Sequence, residues 1–141
     1  LQLLPAEGIE DGNLYAGEIL GLRLGRLTDQ GKWQGCKLVV LSACQTALPP
    51  ELKEELVVGD ELQGLSQALF VAGTPSAVLS LWNVNDVSTR ILMERMYQEL
   101  LGGAEKGEAL RQAQLSLLSD PALRFRHPYY WAPFVLYGDW K

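Results

Sequence analysis

Two short apolar runs set the strongest limit on how this chain folds. Residues 37–43, KLVVLSA, form a continuous apolar run of strand length, and 76–82, SAVLSLW, read as the next strand. Such runs suit strands covered on both faces. Between them, Asp60 is an N-cap candidate, Leu62, Leu65 and Leu69 recur at helical spacing, and Gly73 is a stop. Two strands joined through one helix lie parallel in a sheet, with a right-handed crossover. Their carboxyl ends then share one edge, where α/β folds hold their ligands. Cys44 follows the first strand, and Asn83, Asn85 and Asp86 follow the second. All four are expected on one rim.

The rest of the chain extends this pattern. Residues 1–15 read as a hairpin turning at Asp11-Gly12, residues 16–24 as a short helix, and TDQGKWQG as a polar loop. Residues 47–59, with Pro49-Pro50 and ELKEEL, read as a further loop. A second helix is expected from Asn85 or Asp86 through Leu92, Met96 and Leu100 to Gly102-Gly103. A third is expected over 104–118, with Leu110, Ala113 and Leu117 inward, and a last strand at 133–137. The chain of 141 residues fits one domain.

Composition excludes several classes of function. The net charge is −5, and the Lys and Arg residues are scattered, which argues against a nucleic-acid surface. No apolar run approaches the ~18–20 residues of a membrane span, and no signal-peptide pattern opens the chain. With residues 37–43 extended at ~3.3 Å per residue, Cys36 and Cys44 stand roughly 25 Å apart. A disulfide needs Cα atoms within about 7 Å, so the two do not pair within the chain. Two free thiols point to a reducing, cytoplasmic setting. With no C-x-x-C and His127 as the only histidine, no zinc site is expected, and no cofactor is required.

On position alone Cys44 admits two readings, a small buried hydrophobe or a nucleophile at a strand end. Cys36, ahead of its strand, is read as structural. A thiol nucleophile needs a base, normally histidine. The order Cys44, Asp86 or Asp120, His127 matches that of α/β-hydrolases, but SACQT lacks the glycines of a nucleophile elbow. His127 precedes Pro128 and the aromatic run Tyr129-Tyr130-Trp131, which favours packing over catalysis. Asp86 has two roles open to it: capping the helix that follows, or meeting a basic group of a substrate at the rim. Asn85 can share these roles. Trp82 and Trp131 are candidate pocket walls, although buried tryptophan is commonplace.

Four separated segments carry a resemblance: LVVLSACQT, GDELQGLSQALFVAGTPSAVLSLWNVND, EALRQAQLSLL and HPYYWAPFVLYGDW. In this order they resemble the second half of a CHAT domain, a family of caspase-like cysteine peptidases, typically bacterial and often attached to tetratricopeptide repeats. LWNVND is also similar to the matching segment of separases. The resemblance implies an α/β, caspase-like three-layer sandwich with a mostly parallel sheet flanked by helices. Residues 1–141 would form the C-terminal portion of a single domain that lacks its N-terminal strands. It places the nucleophile on Cys44, assigns Asp86 to an S1 pocket with Trp82 in its wall and Asn85 beside it, and supplies the oxyanion hole from backbone N–H groups. Where the family shows Glu and Gly around the threonine, this chain has Gln45 and Ala47.

One family feature is missing. In related caspases the histidine lies about 50 residues upstream of the cysteine. From Cys44 that count falls before residue 1, so the dyad histidine is expected upstream, in the preceding part of the same domain. The implied partners are that upstream part, a protein or peptide substrate, and tetratricopeptide repeats. Two alternatives stand beside the endopeptidase: a non-catalytic caspase-like interaction module, and a hydrolase using His127.

Overall fold

The computed structural model describes residues 16–42, 58–122 and 124–141. The expected hairpin at 1–15, Cys44, and residues 47–57 of the expected loop lie outside the described residues. The described chain is mixed α/β. In order it forms α1 (Ala16–Gly21), β1 (Gly25–Leu27), β2 (Trp33–Gly35), β3 (Val39–Leu41), α2 (Val58–Val71), β4 (Ser76–Ser80), α3 (Asp86–Leu101), α4 (Lys106–Ser119), a 3-10 turn (Pro128–Tyr130) and β5 (Phe134–Gly138). It divides into two compact units, residues 1–39 with 45–77 and residues 40–44 with 78–141, and the division passes within β3 and β4.

In the first unit α1 packs on α2. The segment expected as a polar loop is instead an antiparallel hairpin, pairing Gly25 with Gly35, Arg26 with Gln34 and Leu27 with Trp33. Its turn explains the difference. The Thr28 N–H donates to the Lys32 carbonyl at 2.8 Å, the Gly31 N–H donates to the Thr28 carbonyl at 2.9 Å, and Gly31 takes φ +73°. Leu27 and Trp33 are the apolar residues that bracket this polar turn. The helix expected over 16–24 stops at Gly21, because Leu24 already donates its N–H to the Ala72 carbonyl at 2.8 Å. Asp60 lies inside α2 rather than capping it, since the helix begins at Val58. Cys36 is half-buried, with its thiol donating to the Leu38 carbonyl at 3.2 Å.

In the sheet, β4 lies between β3 and β5. All five residues of β4 are buried, its two serines included, as in a strand covered on both faces. The Leu81 N–H donates to the Pro133 carbonyl at 3.0 Å, so the end of β4 meets the beginning of β5. These neighbours are therefore antiparallel. In the second unit α3 packs against α4. Leu92 and Met96 of α3, Leu110, Ala113 and Leu117 of α4, and Phe134 of β5 are buried there. Leu92, Met96, Leu110, Ala113 and Leu117 were all expected inward, and Leu100 is only half-buried. Gln114 of α4 holds the approach to β5, its Nε2 donating to the carbonyls of Trp131 at 3.1 Å and Phe134 at 3.0 Å.

The helices α2 and α3 stop by the same device. After α2, the Gly73 N–H donates to Phe70 at 3.0 Å and the Thr74 N–H to Leu69 at 3.1 Å. After α3, Gly103 donates to Leu100 and Ala104 to Glu99, each at 3.0 Å. This is the Schellman pattern, and its left-handed residue is Gly73 at φ +98° in one case and Gly103 at φ +90° in the other. The surroundings differ. A Cβ at Gly103 meets nothing within 4 Å, whereas one at Gly73 would fall on the backbone of Gly25. Gly103→Ala should therefore cost about 1–2 kcal/mol, the left-handed penalty alone. Gly73→Ala should cost clearly more, because backbone must also move. Urea unfolding of both variants checks this, and equal losses would contradict the clash.

Candidate functional site

The segment that leaves β4 carries three of the four expected site residues. Trp82 is 37% exposed, and its Nε1–H donates to the Tyr129 carbonyl at 3.1 Å, which ties the segment to the 3-10 turn. Asn85 has extended backbone (φ −77°, ψ 129°) and is the N-cap of α3. Its Oδ1 accepts the N–H groups of Val87 and Ser88, both at 3.1 Å, and the Ser88 hydroxyl donates back to the Asn85 carbonyl at 3.0 Å. Capping therefore falls to Asn85, and Asp86 is the first residue of the helix. Its carboxylate is exposed and makes no hydrogen bond or ion pair among the described residues. It stands at the positive end of the α3 dipole, a favourable place for negative charge.

Cys44, the fourth expected residue, lies outside the described residues. Its strand is described as far as Ser42, and β3 neighbours β4 in the sheet. His127 is exposed, and its role is local. Its Nδ1 accepts the Tyr129 N–H at 3.2 Å and so caps the 3-10 turn, where packing among aromatics was expected. Trp131 is half-buried, its Nε1–H held by the Arg126 carbonyl at 3.2 Å. Around these sit Phe125 and Tyr130, edge to face at 5.0 Å, and Tyr129 and Tyr130 at 5.3 Å. The anchoring of Trp82 by a main-chain carbonyl 47 residues away carries no sequence signal.

Two other carboxylates of the second unit, those of Glu108 and Asp139, are committed to partners. Glu108 is pushed down to about 2, first by its hydrogen bonds from Arg111 and then by that from Gln112. Asp139 is lowered by the Lys141 backbone N–H and then by the Lys106 ammonium at 3.1 Å. Among the described residues no group of three His, Cys, Asp or Glu is placed to hold a metal, and no helix is long and apolar enough to cross a membrane.

The division of labour at α3 has a measurable consequence. Asn85→Ala should lower stability by about 1 kcal/mol through loss of the cap. Asp86→Asn should leave the melting temperature close to that of the parent. The reverse order in thermal melts would return the cap to Asp86.

Comparison with known proteins yields two matches. The family model described as CHAT domain matches residues 1–139. The human protein named tetratricopeptide repeat protein 28 is 32% identical over 103 residues, which cover 73% of this chain and 4% of that protein. The chain thus corresponds to a small part of that relative's length. No solved structure matches.

Proposed function

The chain belongs to the CHAT domain family, and from that premise we propose that it is the nucleophile-bearing part of a caspase-like cysteine endopeptidase. The observation that carries the proposal is the split at the start of α3. Asn85 takes the cap, and Asp86 stays uncommitted beside Trp82, on the segment leaving the strand next to the one that leads to Cys44. Connection of β3 to β4 through α2 supports a parallel pair and the caspase-like sandwich, with β5 as an antiparallel strand at its border.

In this mechanism the Cys44 thiolate attacks the scissile carbonyl carbon. The C–N bond breaks as an imidazolium protonates the departing amine, and a thioester remains. Water, deprotonated by the same imidazole, then hydrolyses the thioester to a carboxylic acid and restores the thiol. The imidazole is supplied from outside residues 1–141, since His127, the chain's one histidine, serves as a cap through Nδ1. Asp86 and Trp82 receive the side chain on the amino side of the cleaved bond, with Asn85 fixing their helix. Tetratricopeptide repeats are the partner class that the similarity to the human repeat protein supports. The chain's single histidine, engaged as a cap, equally favours a second reading, a non-catalytic interaction module that keeps the fold.

Activity separates the two. Residues 1–141 alone, folded by circular dichroism, should not turn over mixed peptide substrates, because a thiol at pH 7 without a base stays mostly protonated. The full-length protein should cleave, lose all activity in Cys44→Ala and keep most of it in His127→Ala. Equal loss in both variants with the fold intact points to the hydrolase using His127, and no activity in any form leaves the interaction module.

Asp86 sets a second expectation. The Asp86 carboxylate is exposed in the free chain, and a bound substrate that covers it would offer Arg a paired, charge-assisted contact. In the complete enzyme Asp86→Asn should cost about 2–4 kcal/mol in kcat/KM for cleavage after Arg, by analogy with truncating a buried charge pair, and little after Leu. An Arg preference that survives the substitution removes Asp86 from the pocket.

A further inference from the structure

The first unit holds an open groove of about 790 Å³, formed where the end of α1 and the hairpin meet the last turn of α2. Its apolar walls are Leu20, Leu22 and Val71, which stand 49%, 43% and 72% exposed. Gly25 and Gly35, paired across the hairpin, also line it. Arg23 and Arg26 line the same groove, and no carboxylate lines it among the described residues. Neither arginine has an ion-pair partner among the described residues. The groove is thus locally cationic in a chain of net charge −5.

We propose that this groove binds an acidic, aliphatic peptide segment of a partner protein. Aliphatic side chains of the peptide cover Leu20, Leu22 and Val71, and its carboxylates pair with the forked donors of Arg23 and Arg26. A concave, glycine-lined groove receives inserted side chains, whereas membrane binding requires apolar residues that project into the lipid. The inference does not depend on the peptidase reading, since none of Trp82, Asn85 and Asp86 lines the groove.

The test uses the full-length protein in a Cys44→Ala background, so that cleavage does not interfere. Three fluorescein-labelled decapeptides alternate leucine with glutamate, glutamine or lysine, and binding is read by fluorescence polarisation. The glutamate peptide should bind best and weaken as salt rises. The double variant Arg23→Glu/Arg26→Glu should lose about tenfold or more for the glutamate peptide and shift its preference to the lysine peptide. Gly21→Leu fills space that is open in the parent, since a Cβ there meets nothing within 4 Å. It should weaken all three peptides with an unchanged melting temperature. No binding of the glutamate peptide at about 1 mM, equal binding of the lysine peptide, or indifference to both variants overturns the proposal. So does co-sedimentation with phosphatidylserine vesicles that the glutamate peptide does not displace.

Discussion

The side chain of Asn85 fixes the end of the sheet on which the candidate site depends. β4 is buried throughout and leaves the sheet at Ser80, and within six residues the chain must stop pairing, turn and begin α3. Two of the first helical N–H groups, on Val87 and Ser88, find their acceptor in Asn85 Oδ1. Left without it, each would carry the cost of an unmet donor. Ser88 answers by donating its hydroxyl to the Asn85 carbonyl, which locks the residue in its extended conformation. Leu81 and Trp82, one on each side of the bend, are held by the carbonyls of Pro133 and Tyr129. The position of Asp86 follows from these bonds, and none of them uses its carboxylate.

Much of this was legible in the sequence where a physical rule acts locally. The run around Val39–Leu41 marks a strand by continuous apolarity, Ser76–Ser80 falls in the next expected strand, and Gly73 and Gly103 mark helix ends because the left-handed conformation demands glycine there. Both Asn85 and Asp86 are residues that cap helices, so the sequence left the choice between them open, and geometry decides it. The hairpin at Gly25–Gly35 was missed for a related reason. Its strands are three residues each, too short for a period-two pattern to stand out, and its polar turn dominates the composition. Long-range anchors such as Gln114 onto Trp131 and Phe134 are beyond any local rule.

Charge on this molecule is informative mainly where it is uncommitted. Glu108 with Arg111, Glu94 with Arg90 and Asp139 with Lys106 are pairs on exposed or partly exposed helix and terminal surfaces, and such pairs contribute little to stability. Asp86 in the second unit, and Arg23 and Arg26 in the first, have no such partner among the described residues. Each also sits beside exposed apolar surface, Trp82 in one case and Leu22 with Val71 in the other. A charge beside uncovered apolar groups suits a ligand that brings both an opposite charge and something to bury.

The histidine bears most directly on the peptidase reading. His127 Nδ1 accepts the Tyr129 N–H, so that nitrogen is committed to the cap of the 3-10 turn. Only Nε2 remains for proton transfer. A catalytic base is better served by the opposite arrangement, in which Nδ1–H is held by an acceptor that stabilises the imidazolium. Here Nδ1 is the acceptor of a backbone N–H, and the ring is exposed. Under the peptidase reading, the base that takes the Cys44 proton is therefore an imidazole other than His127, whose Nδ1 serves the 3-10 turn.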